Sequence, residues 1–355
     1  MIKYELTKIL KNKIVIAFII LFFVLDIFII INTNLTQINM MRYEQYANFN
    51  ELYKEIKGKI TTKSVNRLYE AEKEFDVYGD IPTMTLAVAK DNYDYRNRAS
   101  EVVKMARRNY NIYENNKKAK LTNKYIANKF ENRSINSYYR TDGIDEYLKY
   151  DYSTIMVVML LVIITSILFV NDRKIGMDKV INTTIYGKNK LALAKINTII
   201  CLSIILSIMY RGIESIVFFI LYRYDGLLMP MYSVTEYTNS FFGGTILSAF
   251  MIDIIMKTIG CIMIGLIISA CVLLINNTTC AYVISILIST IVKLPVLLFD
   301  NYTLFKDNTL YVVGDLVFNR LEIILLISVV LILILYILFY MRFRKRRVKL
   351  CGNMN

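Results

Sequence analysis

The sequence predicts an all-α integral membrane protein with six transmembrane helices, an amphipathic N-terminal helix and a helical extracellular domain between the first two spans. Three observations predict it. The chain is 55% hydrophobic with a mean hydropathy of +0.42 and only 3 Pro in 355 residues, which is too apolar for an ordinary soluble protein. Its apolar runs are long and continuous, unlike the short alternating strands of a sandwich or barrel. Short connections between those runs are basic where a cytoplasmic face is required, because Lys and Arg in short loops resist translocation.

Residues 1–13, MIKYELTKILKNK, place Ile2, Leu6, Ile9 and Leu10 on one helical face and Lys3, Lys8 and Lys11 around the other. That is the pattern of a helix lying in the membrane interface. Residues 14–32 follow as the first span (TM1), long enough at about 1.5 Å per residue to cross roughly 30 Å of hydrocarbon. The following NTNLTQ lacks a small-residue cleavage pattern, so the span is read as uncleaved, running from inside to outside.

Residues 33–152 form a polar block of domain size. Its heptad-like apolar spacing (Val65, Leu68 and Phe75; Val102, Met105, Ala106, Tyr110 and Tyr113) favours helices, with Gly58, Gly79, Pro82 and Gly143 as breakers and a turn at 79–82. Residues 153–170 (TM2) return to the cytoplasm and deliver a basic loop at 171–190. Residues 191–222 (TM3) go outward, longer than a bilayer needs, and either project past the membrane or break near Arg211-Gly212. An external connection holding Pro230 leads to residues 246–275 (TM4), and Asn276 to Thr279 make a cytoplasmic turn. Residues 280–299 (TM5) go out, 300–320 stay outside or re-enter, and 321–341 (TM6) come in. The tail, 342–355, is basic and cytoplasmic. Both termini are therefore expected inside.

With no His in the chain, the usual base of Ser or Cys hydrolases and the commonest transition-metal ligand are missing, so neither a catalytic nor a metal site is expected, while chemistry on Asp, Glu or Lys, as in an intramembrane enzyme using Asp26, Asp253 or Lys257, stays open as a further alternative. None of the five cysteines falls between the first two spans, so that domain is not stapled by disulfides. The formal charge of +14 is read as topology and attraction to anionic headgroups of membrane lipids, not as nucleic-acid binding. Abundant Ile, Lys, Asn and Tyr are consistent with nucleotide bias, so the tyrosines carry little functional weight. Cys351 after the polybasic tail is either an idle thiol or an acylation site. Gly260, Gly265, Ser269 and Ala270 allow close helix approach in lipid.

Two groups of residues carry a functional reading. The first is the loop, with Asp172, Arg173, Lys174, Gly176, Lys179, Gly187 and Lys188, and Lys195 opening the third span. The second is charge within the apolar runs: Asp26, Arg211, Glu214, Asp253, Lys257 and Lys293, all toward the outer half of their spans. Ionisable groups at such depth face partners or water, and Arg211 with Glu214 (three apart) and Asp253 with Lys257 (four apart) can meet on one helical face. The six sum to zero formal charge. They read either as structural pairing or as part of a pathway or gate.

The loop resembles the coupling segment of ABC-2 type ABC exporter permeases. There an acidic residue, three positions and a Gly lead through an apolar stretch to a basic residue and then a Lys opening the third span; Asp172, Gly176, Lys188 and Lys195 take those positions without a gap. Asp172 stands where Glu is usual and Ile185 where Pro often sits. The amphipathic start is similar to the family's elbow helix, the six-span plan covers the whole chain, and an external insert is found in some branches only.

The resemblance implies a membrane-spanning subunit of a bacterial ABC exporter in the cell membrane of a low-GC Gram-positive. It would pair with a second permease subunit, identical or related, and be driven by separate ABC ATPase subunits that bind ATP and Mg. No G-x-x-x-x-G-K-[ST] occurs in the chain, so nucleotide hydrolysis is assigned to those partners and no enzyme activity or cofactor to this chain. The substrates implied are peptides, lipids or hydrophobic drugs, including antimicrobial-peptide export or immunity. The alternative is a non-transporting mechanotransmission or sensing protein acting through its extracellular domain.

Overall fold

The structure is a computed structural model describing residues 1–40, 44–78, 83–141, 143–171, 187–274 and 301–351. In chain order the described helices are α1 (Ile2–Leu10), α2 (Lys13–Met40), α3 (Glu44–Ile56), α4 (Thr62–Tyr78), α5 (Thr83–Ile112), α6 (Lys117–Phe130), α7 (Ile144–Lys149), α8 (Tyr152–Ser166), α9 (Gly187–Tyr222), α10 (Ile246–Leu274), α11 (Asn301–Lys306) and α12 (Arg320–Cys351). A π-helical turn, Ile167–Asn171, extends α8. Among the described residues, two short antiparallel pairs interrupt the helical pattern: β1 (Gly58–Lys59) with β2 (Ser137–Tyr138), and β3 (Leu310–Val313) with β4 (Leu316–Asn319).

Among the described residues, five segments are long and apolar enough to cross a membrane: Lys13–Leu35, Ile144–Phe169, Leu191–Tyr222, Ile246–Val272 and Arg320–Met341. They mark a multi-pass helical membrane protein. The fifth expected span, residues 280–299, lies outside the described residues.

The bundle is built around α8, whose most apolar stretch is 72% buried. Leu160, Leu161 and Ile164 on α8 pack in one apolar cluster with Ile199, Leu202 and Leu206 on α9 and Ile264 and Ile268 on α10. The corresponding stretches of α2 and α12 are only 17% and 11% buried and expose Val24, Phe28, Leu326 and Leu333. At about 25 cal/mol per Å² of apolar surface, such faces would be costly in water, and lipid is the solvent that suits them. Close approach of α9 and α10 depends on Gly265, where an added Cβ would stand 3.0 Å from Ile199 and 3.1 Å from Ser203.

Helix α9 does not break at Gly212 but runs unbroken through all 36 residues. A glycine inside a helix costs about 1 kcal/mol relative to Ala. Releasing backbone groups in lipid costs several.

The insert between the first two spans, α3 to α6, packs α5 along α6 and is tied back by the β1–β2 pair. It sits on the connection from α9 to α10. Lys57 Nζ lies 2.7 Å from Asp225 and Tyr53 donates to the same carboxylate at 3.1 Å. Tyr95 stacks on Tyr232 at 5.2 Å, with the Arg133 guanidinium 4.9 Å from the same Tyr232 ring. The chain leaves the insert through Gly143, whose φ of +78° and contact with the Tyr222 ring leave no room for a side chain.

Candidate functional site

Between α7 and α8 the helix is interrupted for two residues: Tyr150 is extended and Asp151 precedes the first turn of α8. The interruption lies within the Ile144–Phe169 membrane segment and leaves the Tyr150 carbonyl outside the helical ladder. Two buried cations take it. Arg211 Nη1 donates to Tyr150 O at 3.1 Å and Lys257 Nζ at 2.9 Å. A broken helix whose free backbone groups are met by buried polar side chains is the form in which irregular backbone is tolerated at membrane depth.

From that carbonyl the charges spread over four membrane segments. Arg211 on α9 pairs with Glu214 one turn along, at 2.5 Å, and across to Asp253 on α10. Lys257, one turn beyond Asp253, lies 3.3 Å from it and 2.7 Å from Asp151. Ser153 in the first turn of α8 donates to Glu214 at 2.9 Å. Tyr150 donates its hydroxyl to Asp26 Oδ1 on α2 at 2.9 Å. The Arg211 guanidinium also sits 5.0 Å from the ring of Tyr147, whose hydroxyl meets Ser215 at 2.8 Å.

The network is dry. Arg211, Glu214, Asp253 and Lys257 are at most 2% exposed and Asp26 is 3% exposed. At about 1.5 Å per residue, each group lies roughly 10–17 Å along its segment from the end of the bundle that carries the insert. The charges therefore form one layer.

Of the residues that sequence reading singled out inside the membrane, the structure brings Asp26, Arg211, Glu214, Asp253 and Lys257 into this layer. Lys293 lies outside the described residues. Tyr147, Tyr150, Asp151 and Ser153 join it without having been expected. Their signal was faint: Tyr150 and Asp151 stand at the junction of the polar block with the apolar run, where a polar residue is ordinary.

At the opposite end of α9, Lys195 is buried and donates to the Leu168 carbonyl in the π-helical turn, with its ammonium 5.3 Å from the Phe169 ring. It ties together the two flanks of the loop at 171–190. Gly187 opens α9 and Lys188 follows in its first turn. Asp172, Arg173, Lys174, Gly176 and Lys179 lie outside the described residues.

The arrangement is suited to locking and unlocking. Arg211, Glu214, Asp253 and Lys257 each meet two or more partners, so a shift of one helix trades one partner for another. Among the described residues no group of His, Cys, Asp and Glu could hold a metal ion. Comparison with protein-family models, with curated proteins and with solved structures finds no match to this chain.

Proposed function

We propose that the chain is the permease subunit of an ATP-driven ABC exporter of the bacterial cell membrane. In this reading it has six spans, residues 280–299 supplying the fifth, an elbow helix at residues 1–13 and both termini in the cytoplasm. Separate ABC ATPase subunits bind ATP and Mg and press on residues 171–190, and a second permease subunit, identical or related, completes the pore. The cargo is a peptide, lipid or hydrophobic drug.

The observation that carries the reading is the continuity of α9. One unbroken helix joins Lys195, beside the loop, to Arg211 and Glu214 in the charge layer. Those residues are separated by roughly 24–29 Å of helix at about 1.5 Å per residue. A rigid rod of that length delivers a push on the loop to the layer with little loss, which is what coupling by rigid-body movement requires.

The test is purification from native membrane. A P-loop ATPase is expected to accompany the protein and to be lost when Arg173, Lys174 and Lys179 are changed together to Glu. If no ATPase accompanies the wild-type chain, the reading fails.

A second reading is favoured by the way the insert is seated. Lys57–Asp225 and the Tyr95–Tyr232 stack fasten it to the α9–α10 connection, so movement of α9 would move the insert as well. In that case the complex is a mechanotransmission or sensing device. Reconstituted complex that hydrolyses ATP, binds a partner through residues 33–152 and moves no solute would select this reading over export.

A further inference from the structure

The insert carries a cleft of about 820 Å³ where the end of α3, strand β1 and the first turns of α4 meet. Its volume is within the range of small-molecule sites, about 300–1,000 Å³. Its wall is not the usual apolar one. Ile56 is its sole aliphatic residue and is itself only 2% exposed, so an acyl chain or a hydrophobic drug would find almost nothing to cover.

Four cations, Lys57, Lys59, Lys63 and Arg67, line the cleft against two carboxylates, Glu55 and Glu70. Arg67 pairs with Glu55 at 2.8 Å and Lys57 with Asp225 at 2.7 Å. Lys59 and Lys63 are exposed and form no ion pair among the described residues. Both stand on ordered backbone. Lys59 is in β1, opposite Ser137 of β2, and Lys63 is in the first turn of α4. That turn is fixed by Thr61 N–H donating to Ser64 Oγ at 2.8 Å and Ser64 N–H to Thr61 Oγ1 at 3.2 Å. Ammonium groups lining one cleft from rigid elements repel each other, and an anion between them relieves the repulsion while accepting charge-assisted hydrogen bonds.

The place of the cleft says which anion is at hand. Asp225 stands three residues past Tyr222, the end of the Leu191–Tyr222 membrane segment, and so within about 11 Å of it along the chain. Lys57, bonded to Asp225, therefore brings the edge of the cleft close to the headgroup layer, which is roughly 5–8 Å deep.

We propose that the cleft binds a phosphate group, with Lys59 and Lys63 as its ligands and Lys57 at its edge. The phosphate belongs either to a phospholipid headgroup of the adjoining leaflet or to a soluble phosphate ester, since the oxygens accept from the ammonium groups alike in both. The site requires neither the exporter nor the sensing reading.

The experiment uses the full chain in maltoside micelles, titrated with inorganic phosphate at constant ionic strength and followed by calorimetry. One saturable site per chain is expected. Lys59→Gln with Lys63→Gln should weaken it by about tenfold. Lys120→Gln with Lys124→Gln removes the same charge from α6 and should leave it unchanged. All four side chains are exposed, so neither pair of substitutions disturbs the fold. Native mass spectrometry of chain released from phosphatidylglycerol nanodiscs identifies the source. One lipid more on the wild type than on the Lys59→Gln, Lys63→Gln protein assigns the phosphate to a headgroup, whereas phosphate binding with equal lipid counts assigns it to a soluble ester. Absence of a saturable phosphate site together with equal lipid counts overturns the proposal. So does a loss of phosphate binding that is the same in both pairs of substitutions.

Discussion

Arg211 is the residue on which the charge layer depends most, because it meets Glu214, Asp253, the Tyr150 carbonyl and the Tyr147 ring from a fully buried position. Arg211→Met leaves two carboxylates without their main partner, and breaking a buried pair from one side costs about 3–5 kcal/mol. The thermal midpoint in detergent is expected to fall accordingly. Arg211→Lys should recover only part of the loss, since an ammonium cannot present a planar fork to several acceptors at once. Outside the membrane, hydrogen bonding from Lys57 holds the Asp225 carboxyl below the usual carboxylate range. A lowered carboxylate contributes stability above its unfolded value and loses it as pH falls through the folded one, so this link weakens only on the acid side. Both side chains are more than a third exposed, and screening limits the contribution to about 0.5 kcal/mol. Lys57→Met should flatten the acid limb of the unfolding curve by that small amount. Tyr53 behaves oppositely: burial pushes its hydroxyl up from 10.0 to about 12. That preference stabilises the fold below pH 10 and is lost as pH rises toward 12, and a spectrophotometric titration of Tyr53→Phe should lack one late-ionising tyrosine. What was legible at this scale were pairs on a single helix, Arg211–Glu214 and Asp253–Lys257, because helical spacing fixes them. Asp26 with Tyr150 was not, since the partners are 124 positions apart and meet at a backbone interruption that no side-chain period marks.

The continuity of α9 decides whether its two ends act together. Ile205 lies on an exposed face of that helix between Lys195 and Arg211. Ile205→Pro removes a helical hydrogen bond and introduces a kink at a cost of about 3 kcal/mol. Under the exporter reading the partner ATPase should remain bound while its hydrolysis ceases to drive transport, as measured in proteoliposomes. Gly265→Leu should separate α9 from α10 and lower stability by about 1–3 kcal/mol, the range for overpacking. The start of α12 is fixed by a reciprocal cap: Glu322 N–H donates to Asn319 Oδ1 at 2.8 Å and Asn319 N–H to Glu322 Oε2 at 3.0 Å. That four-residue spacing is a helix-start signal, but the start of the last span was read from its apolar run alone. The β3–β4 hairpin before it was not, because strands of four residues carry too little alternation to separate them from loop. Nor was the joining of α7 to the second membrane segment, because its polar Asp145, Glu146 and Lys149 resemble the insert that precedes it. The apolar runs, by contrast, were plain, since only continuous hydrophobicity makes lipid a better solvent than water.

For the whole molecule, the proposed topology requires the termini on one side of the membrane and the insert on the other. In a cysteine-free background, single cysteines at Lys63 and Lys117 are expected to react with a membrane-impermeant maleimide added outside intact cells. Cysteines at Met1 and Asn355 should be protected, and labelling of only one terminus would indicate an odd number of spans. The charge layer also bears on how the chain enters the bilayer. An Arg or Asp at the centre of an isolated span opposes insertion by about 2.5–3.5 kcal/mol, yet Arg211 has Glu214 three residues on and Lys257 has Asp253 four residues before it. Each of α9 and α10 therefore brings its own counter-charge to the layer, so that the Arg211–Glu214 and Asp253–Lys257 pairs can pass from the translocon into lipid as locally neutral units. The links across helices, Arg211 to Asp253 and Lys257 to Asp151, can form only when the segments meet. Biogenesis would then proceed by an exchange of partners, with contacts inside one helix carrying the charges into the membrane and contacts between helices closing the bundle afterwards.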